Sequence, residues 1–290
     1  MSKLPRVMCC VGATLGAVAV DAEALGQATF PGLVHRWSAN GSLVDSVGGA
    51  NGVANGAVGF VPGVFGQAFD LDPGEFVSAG TGAANLGASD FTIAFWVRFD
   101  APISAPMISK RALCSLVEMI DIRATLTSQV VIELAGENAA NYTLAFADGP
   151  VNDGSWHHVA WRRSGQIADG FIDGCFAGSN FGAGVVDFFT EAASLEFGRD
   201  VCVGSAGTLP MDGAMDEIQI YARALDGDEI SALALRGSSD IDTSGQVNAA
   251  DLAILLGAWG PCAGCCQADL NGDRVVNAAD IGVLLGDWTG

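Results

Sequence analysis

Near the C-terminus, Asp269–Asp280 reads DLNGDRVVNAAD, and 29 residues earlier Asp240–Asp251 reads DIDTSGQVNAAD. A twelve-residue loop wraps a hard cation by offering oxygen from places 1, 3, 5, 7, 9 and 12, with a backbone carbonyl at place 7. In the first loop those places hold Asp240, Asp242, Ser244, the Gln246 carbonyl, Asn248 and Asp251. In the second they hold Asp269, Asn271, Asp273, the Val275 carbonyl, Asn277 and Asp280. The sequence NAAD is by itself a good helix start. That accounts for places 9 and 12, but not for oxygen-bearing residues at places 1, 3 and 5 in both copies. The expectation is therefore two bound Ca2+ ions. Val247 and Val276 fill place 8 with an apolar side chain suited to tying one loop to its neighbour. The Asp at place 12 is expected to open a helix, where its charge suits the positive helix end.

Each loop leads into a short apolar helix, because Leu252, Leu255, Leu256, Gly257 and Trp259 recur as Ile281, Leu284, Leu285, Gly286 and Trp288. Two such units over 240–290 resemble the type I dockerin domain, which lacks the helix that precedes the loop in an ordinary EF-hand. The resemblance implies a small α-helical module that folds on calcium and docks onto a cohesin receptor in bacterial extracellular assemblies. A core of some fifty residues is small enough to need metal stabilisation on physical grounds as well. The chain departs from that pattern in three ways. Gly245 stands at place 6 of the first loop but Arg274 in the second, Ala249-Ala250 and Ala278-Ala279 replace polar contact residues, and a CAGCC insert separates the repeats.

Upstream, residues 30–235 are short apolar segments punctuated by Gly, Asn and Asp, joined to the repeats by a hydrophilic linker at 236–239. In DFTIAFWVRFD, Phe91, Ile93, Phe95, Val97 and Phe99 share one face of a strand. SWHHVAWRRSGQIADGFIDGC predicts strand, turn and strand with the turn near Ser164-Gly165, and SLEFGRD predicts a further strand. AMDEIQIYARAL predicts a strand with Met215, Glu217 and Gln219 alternating against Asp216, Ile218 and Ile220. A helix then starts at Asp226, with Glu229 in capping-box position. Many strands without regular strand–helix alternation mean an antiparallel two-sheet fold. Taken in order, DSVGGANGVANG, GVFGQAFDLD, FTIAFWVRF, WHHVAWRRSG and GAMDEIQIYARALDGDEISAL resemble the laminin-G-like, concanavalin A-type jelly-roll domains of bacteria. That resemblance implies a mainly β sandwich used to bind carbohydrate or protein surfaces.

Composition narrows the partners. A net charge of -20 argues against nucleic acid or an anionic membrane surface. Lys3 and Arg6, the uncharged run Val7–Val20 and small residues after it form a signal-peptide pattern over 1–24, with cleavage after Ala22, Ala24 or Ala28. That run is too short to span a bilayer, and no other segment is apolar for long enough. The mature chain is expected to be secreted, extracellular or at the cell surface. Six cysteines then remain (Cys114, Cys175, Cys202, Cys262, Cys265 and Cys266), allowing up to three disulfides among 15 pairings. CAGCC lacks a nearby His or a second C-x-x-C, so it reads as a disulfide staple and not a zinc site.

Retaining glycoside hydrolysis needs two carboxyl groups about 5–5.5 Å apart. Glu118 and Asp121 are spaced for opposite faces of a strand, Asp216 and Glu217 likewise, and no E-x-D-x-x-E occurs. His157 and His158, beside Trp156 and Trp161, read as strand and core residues before a sugar platform. Asp216 is a weak candidate for a structural ion, and Asp70 and Asp72 are equally unspecific. The reading is a non-catalytic binding or adhesion protein, with a polysaccharide or glycoprotein ligand for the jelly roll and a cohesin-like or cell-surface receptor for the tail. Its alternatives are a dockerin-bearing carbohydrate-active enzyme and a tail folded on its own sandwich. Calcium titration should count two ions. The second should be weakened less than about tenfold, because a left-handed Arg274 costs roughly 1 kcal/mol; one ion would contradict the paired-loop reading.

Overall fold

The computed structural model describes residues 27–127, 129–136, 142–149, 151–182, 186–188, 190–204, 208–234, 239–241, 246–262, 267–271, 273 and 275–290. Within these, the strands before the first helix are β1 (Leu33–Trp37), β2 (Val53–Asn55), β3 (Gly59–Pro62), β4 (Gln67–Leu71), β5 (Phe76–Ser78), β6 (Phe91–Phe99), β7 (Pro106–Lys110) and β8 (Met119–Ala124). They continue as β9 (Gln129–Ala135), β10 (Tyr142–Asp148), β11 (His157–Ser164), β12 (Ile167–Ile172), β13 (Cys175–Phe181), β14 (Glu196–Phe197) and β15 (Gly213–Tyr221). One sheet runs β13-β12-β11-β6-β15-β4-β3 with β1 also on β15; the other runs β10-β9-β8-β7-β14-β5-β2. Every pairing is antiparallel. The chain is thus a jelly-roll-like sandwich, as the strand pattern predicted.

Between the sheets lies one apolar core. Phe91, Ile93, Phe95, Val97 and Phe99 of β6 all enter it, with Trp37, Phe69, Trp161, Phe188 and Phe197. Each large side chain buried there contributes roughly 1.5–3 kcal/mol. The opposite face of β6 is buried as well, because Ala94 packs with Ala160, Phe171 and Tyr221 under α1 (Gly227–Leu233), through Ile230 and Leu233. Asp226 caps that helix and Glu229 completes the capping box, as expected. Gln27 ties the start of the described chain to this region, donating to the Leu233 carbonyl (2.5 Å) and accepting from Gln219 Nε2 (2.7 Å).

The alternation expected for β15 does not hold. Met215, Ile218 and Ile220 all point into the core, because a bulge between Asp216 and Gln219 inserts a residue and shifts the phase. Glu217 sits in the left-handed region (φ 48°) and forms a two-pronged ion pair with Arg36 at 2.9 Å. On its free side β15 pairs first with β4 and then with β1, so the bulge falls where the neighbour changes. Gly213 admits the close approach of β6, since a Cβ there would lie 2.1 Å from the Arg98 carbonyl oxygen.

In the tail, α2 (Ala249–Gly257) and α3 (Ala278–Gly286) pack on Ile241, Val247, Cys262, Ala268 and Val276 through Leu255 and Leu284. A two-residue ladder joins β16 (Gly260–Pro261) to β17 (Val275–Val276). Its counterpart is Thr289, whose amide donates to the Val247 carbonyl at 3.0 Å and whose Oγ1 accepts from the Val247 amide at 2.8 Å. Place 8 of each loop therefore bonds the segment after the other unit's helix, not the other loop. Both valines share one core, which is how they tie the two units together.

Cys114 and Cys202 form a disulfide across 88 residues. Cys175 and Cys262 are also disulfide-bonded, while Cys265, Cys266 and the expected signal peptide and linker residues 236–238 lie outside the described residues. Closing a loop of 88 residues is worth about 4–5 kcal/mol of unfolded-state entropy. Replacing Cys114 and Cys202 with Ser should lower the sandwich melting temperature by roughly 10 °C in calorimetry; an unchanged transition would assign the bond no stabilising role.

Candidate functional site

All six proposed ligand positions of the second loop are described, and hydrogen bonds join them in series. The Asp273 amide donates to Asp269 Oδ1 (3.1 Å) and Asn271 Oδ1 (2.9 Å), and the Val275 amide donates to Asp273 Oδ1 (2.9 Å). Asn277 Nδ2 donates to the Val275 carbonyl (2.9 Å). Asp280 accepts from the amides of Asn271 (3.2 Å) and Asn277 (2.8 Å). In the first loop Asp251 accepts from the amides of Ile241 (2.7 Å) and Asn248 (2.8 Å), and Asn248 Nδ2 faces the Gln246 carbonyl at 3.4 Å. Asp240 and Gln246 are described there; Asp242, Ser244 and Gly245 lie outside the described residues, as does Arg274.

Place 12 does not open the helix. Asn248 and Asn277 are the N-caps, and Asp251 and Asp280 stand at the third helical position, each completing a capping box. Both aspartates are fully buried. Each bridges the helix start to the beginning of its own loop, so one carboxylate fixes both the loop's closure and the helix's first turn. Among the described residues no three His, Cys, Asp or Glu side chains gather closely enough to hold a metal ion; these carboxylates face the loop's own amides. The donor set is hard oxygen throughout, which is the chemistry Ca2+ takes.

On the sandwich, His157 is buried between two carboxylates, with Nδ1 2.8 Å from Asp173 and Nε2 3.1 Å from Asp153. Burial opposes its charge, but the two acids outweigh that and raise its pKa. His158 is fully buried, edge-on to Trp96 at 5.3 Å, and burial lowers its pKa to about 4. Neither histidine is presented to a ligand, in keeping with the core reading. Asp216 accepts from the Phe65 amide at 2.9 Å and so anchors the turn before β4; burial pushes its carboxyl up to about 8. Asp70 sits in β4 opposite Gly59 and Ala214, and Asp72 lies beyond that strand.

Sequence reasoning missed one carboxylate pair. Asp121 of β8 is the register partner of Glu133 of β9, and Arg123 binds both. Burial raises the Asp121 carboxyl against the pull of Arg123. Glu118 takes no part, lying ahead of β8 with its amide on the Gly136 carbonyl (2.9 Å). The available signal was a single acid in each of two apolar strands, MIDIRA and VVIELA, but their meeting depends on register. Asp121 is 1% exposed and Glu133 is buried as well, with the half-buried Arg123 bound to both, so this is a covered ion triad and not an open acid–base pair.

The sandwich identifies the chain's relatives. A model of the family Laminin_G_3, described as the concanavalin A-like lectin/glucanases superfamily, matches residues 74–231, more than half of the chain. The chain belongs to the concanavalin A-like lectin/glucanase superfamily. No curated protein matches it significantly. Among solved structures, this superfamily member is similar to domain 4 of AbnA, a GH43 extracellular arabinanase from Geobacillus stearothermophilus, in complex with arabinotriose. That match has 18% identity and a TM-score of 0.54, covering 70% of this chain and 98% of that one. It is also similar to the botulinum neurotoxin serotype G binding domain, at 17% identity and a TM-score of 0.55 over 72% of this chain and 52% of that one. The binding domain of Paraclostridial Mosquitocidal Protein 1 gives 16%, 0.55, 70% and 52%. The chain thus spans about half the length of the toxin domains, and the likeness is one of fold. No helix among the described residues is long and apolar enough to cross a membrane.

The two neighbouring histidines should titrate in opposite senses. By NMR, His157 should show a pKa above 6.5 and His158 one near 4. Stability from the His157 pairs is complete below its unfolded pKa and lost as pH rises through the raised value. His158 acts the other way, and stability falls as pH drops from about 6.5 toward 4, because the unfolded chain takes that proton first. Equal pKa values for the two rings would overturn this assignment.

Proposed function

We propose that this is a secreted, non-catalytic glycan-binding protein whose sandwich engages carbohydrate and whose calcium-loaded, dockerin-like tail attaches it to a cohesin-like or cell-surface partner. The observation that carries the reading is the joining, in one chain, of a lectin-like sandwich to a duplicated oxygen-rich loop. On the sandwich side, support comes from relatives in fold: the arabinanase domain was captured with arabinotriose, and the neurotoxin DC binding domain with SialylT. The burial of Asp121 and Glu133, both bound by Arg123, favours binding over hydrolysis.

On the tail side, Asp269, Asn271, Asp273, the Val275 carbonyl, Asn277 and Asp280 would hold one ion. Asp240, Asp242, Ser244, the Gln246 carbonyl, Asn248 and Asp251 would hold the other. The ion's contribution is positive charge among carboxylates that otherwise repel one another, and hence stabilisation of the folded module. Export fits the Cys114–Cys202 disulfide, which needs an oxidising compartment. Signal cleavage after Ala22 or Ala24 would keep Gln27 and its bonds to Leu233 and Gln219, whereas cleavage after Ala28 would remove them.

Calorimetry of the full chain should show a tail transition that rises by about 10 °C or more from excess chelator to millimolar Ca2+, with the sandwich transition unmoved. The chain should be retained on immobilised polysaccharides and release no reducing sugar. A calcium-independent tail would remove the attachment role, and sugar release would make the protein an enzyme.

A further inference from the structure

A cavity of about 320 Å³ opens between β1 and the segment before β6, with Val34, His35, Ala84, Leu86, Ser89 and Asp90 on its wall. That is the lower end of the range for small-molecule pockets, room for one sugar unit and not an extended chain. The imidazole of His35 is held there from three sides. Its Nδ1 lies 2.7 Å from Asp45 Oδ2, its face stacks on Trp37 with centroids 5.3 Å apart, and its edge abuts Gly48. A Cβ at Gly48 would fall 2.2 Å from His35 Nδ1, so only glycine leaves the ring in place.

Asp45 is itself anchored. Its carboxylate accepts from the amides of Arg36, Val47, Gly48 and Ala50 at 2.9–3.0 Å, and its side chain is fully buried. This explains the DSVGGAN loop, which the fold alone left without a role. A carboxylate only accepts, so Nδ1 carries the proton, and in the neutral imidazole Nε2 is then a lone-pair acceptor. The opposite wall is equally preformed. Lys110 is buried beneath it and donates to the carbonyls of Thr81 (2.7 Å) and Ala83 (2.6 Å) and to Asn85 Oδ1 (2.7 Å). Asp90 uses Oδ1 to accept from the Gly165 amide at 2.7 Å, leaving Oδ2 for a ligand.

We infer that this cavity is the carbohydrate site of the sandwich and takes one neutral monosaccharide unit, with His35 Nε2 and Asp90 Oδ2 accepting from its hydroxyls. The inference rests on the glycan-binding reading above. The wall is rich in acceptors and Ser89 adds a hydroxyl, while among the described residues no Lys or Arg lines the cavity, which favours a neutral ligand over an anionic one. Val34 and Leu86, each half-buried against the core, offer an apolar surface for the C–H face of a sugar ring. One imidazole and one carboxylate fall short of the three protein ligands of a metal site.

The test is NMR of the full-length chain titrated with a panel of neutral monosaccharides, observing the histidine side chains. The chain has three histidines, so His157 and His158 serve as internal controls. At least one sugar should shift the His35 ring with half-saturation near about 1 mM, leaving the other two unmoved. His35→Asn keeps an N–H toward Asp45 but loses the Nε2 acceptor, and Ser89→Trp fills the mouth from an exposed position. Each should weaken binding at least about tenfold while the melting temperature stays within about 3 °C. Polysaccharide retention undiminished in both variants would overturn the site but leave the glycan-binding reading standing. A sugar panel that never moves His35 would also overturn the site. Failure of the wild-type chain to bind any polysaccharide would sink the reading itself.

Discussion

Thirty-three carboxylates share this chain with thirteen Lys and Arg residues, so its buried acids depend heavily on partners other than cationic side chains. An unpaired buried carboxylate is among the costliest groups a fold can hold. The backbone amide is the partner that recurs. Asp45 takes four amides, Asp251 and Asp280 take two each, and Asp216 holds the Phe65 amide, while the exposed Asp226 caps α1 with two in the same manner. In each case the carboxylate also fixes a loop or turn, because the amides it accepts from must be turned toward it. Excess acidity and turn-rich architecture are thus two sides of one constraint.

Three of the cations sit where elements of the sandwich meet. Arg36 reaches Glu217 at the bulge of β15, where the strand leaves β4 and takes up β1. Lys110 gathers the segment 81–85 from beneath, and Arg162 links Asp169 to the Leu225 carbonyl ahead of α1. These few charges join elements distant in the chain, while amide–carboxylate pairing handles local turns. The candidate sugar cavity lies at a junction of the two devices, with Asp45 orienting one wall and Lys110 bracing the other.

The tail repeats the amide–carboxylate device twice and adds a reciprocal clasp. Each helix is followed by a residue that bonds place 8 of the other unit, Gly260 to Val276 and Thr289 to Val247. The two units thus share hydrogen bonds and one apolar core, which couples two loops of similar sequence. A bound ion in either loop would thereby stabilise both.

Much of this was legible in the residues. The 29-residue offset, the inward face of β6, the turn at Gly165 and the Asp226–Glu229 cap all depend on neighbours a few positions apart, and local periodicity encodes them. The phase of β15 was not legible, because a bulge is set by which strand lies alongside it. Nor was the pairing of Cys114 with Cys202, of Asp121 with Glu133, or the cradle that fixes His35, since these join residues 10 to 88 positions apart through strand register and loop proximity. The sequence by itself determined the strand-rich class of the sandwich and the duplicated oxygen-bearing loops. Only the tertiary structure decided which carboxylates are spent on backbone amides and which acceptors remain for a ligand, because that depends on what the fold places opposite each one.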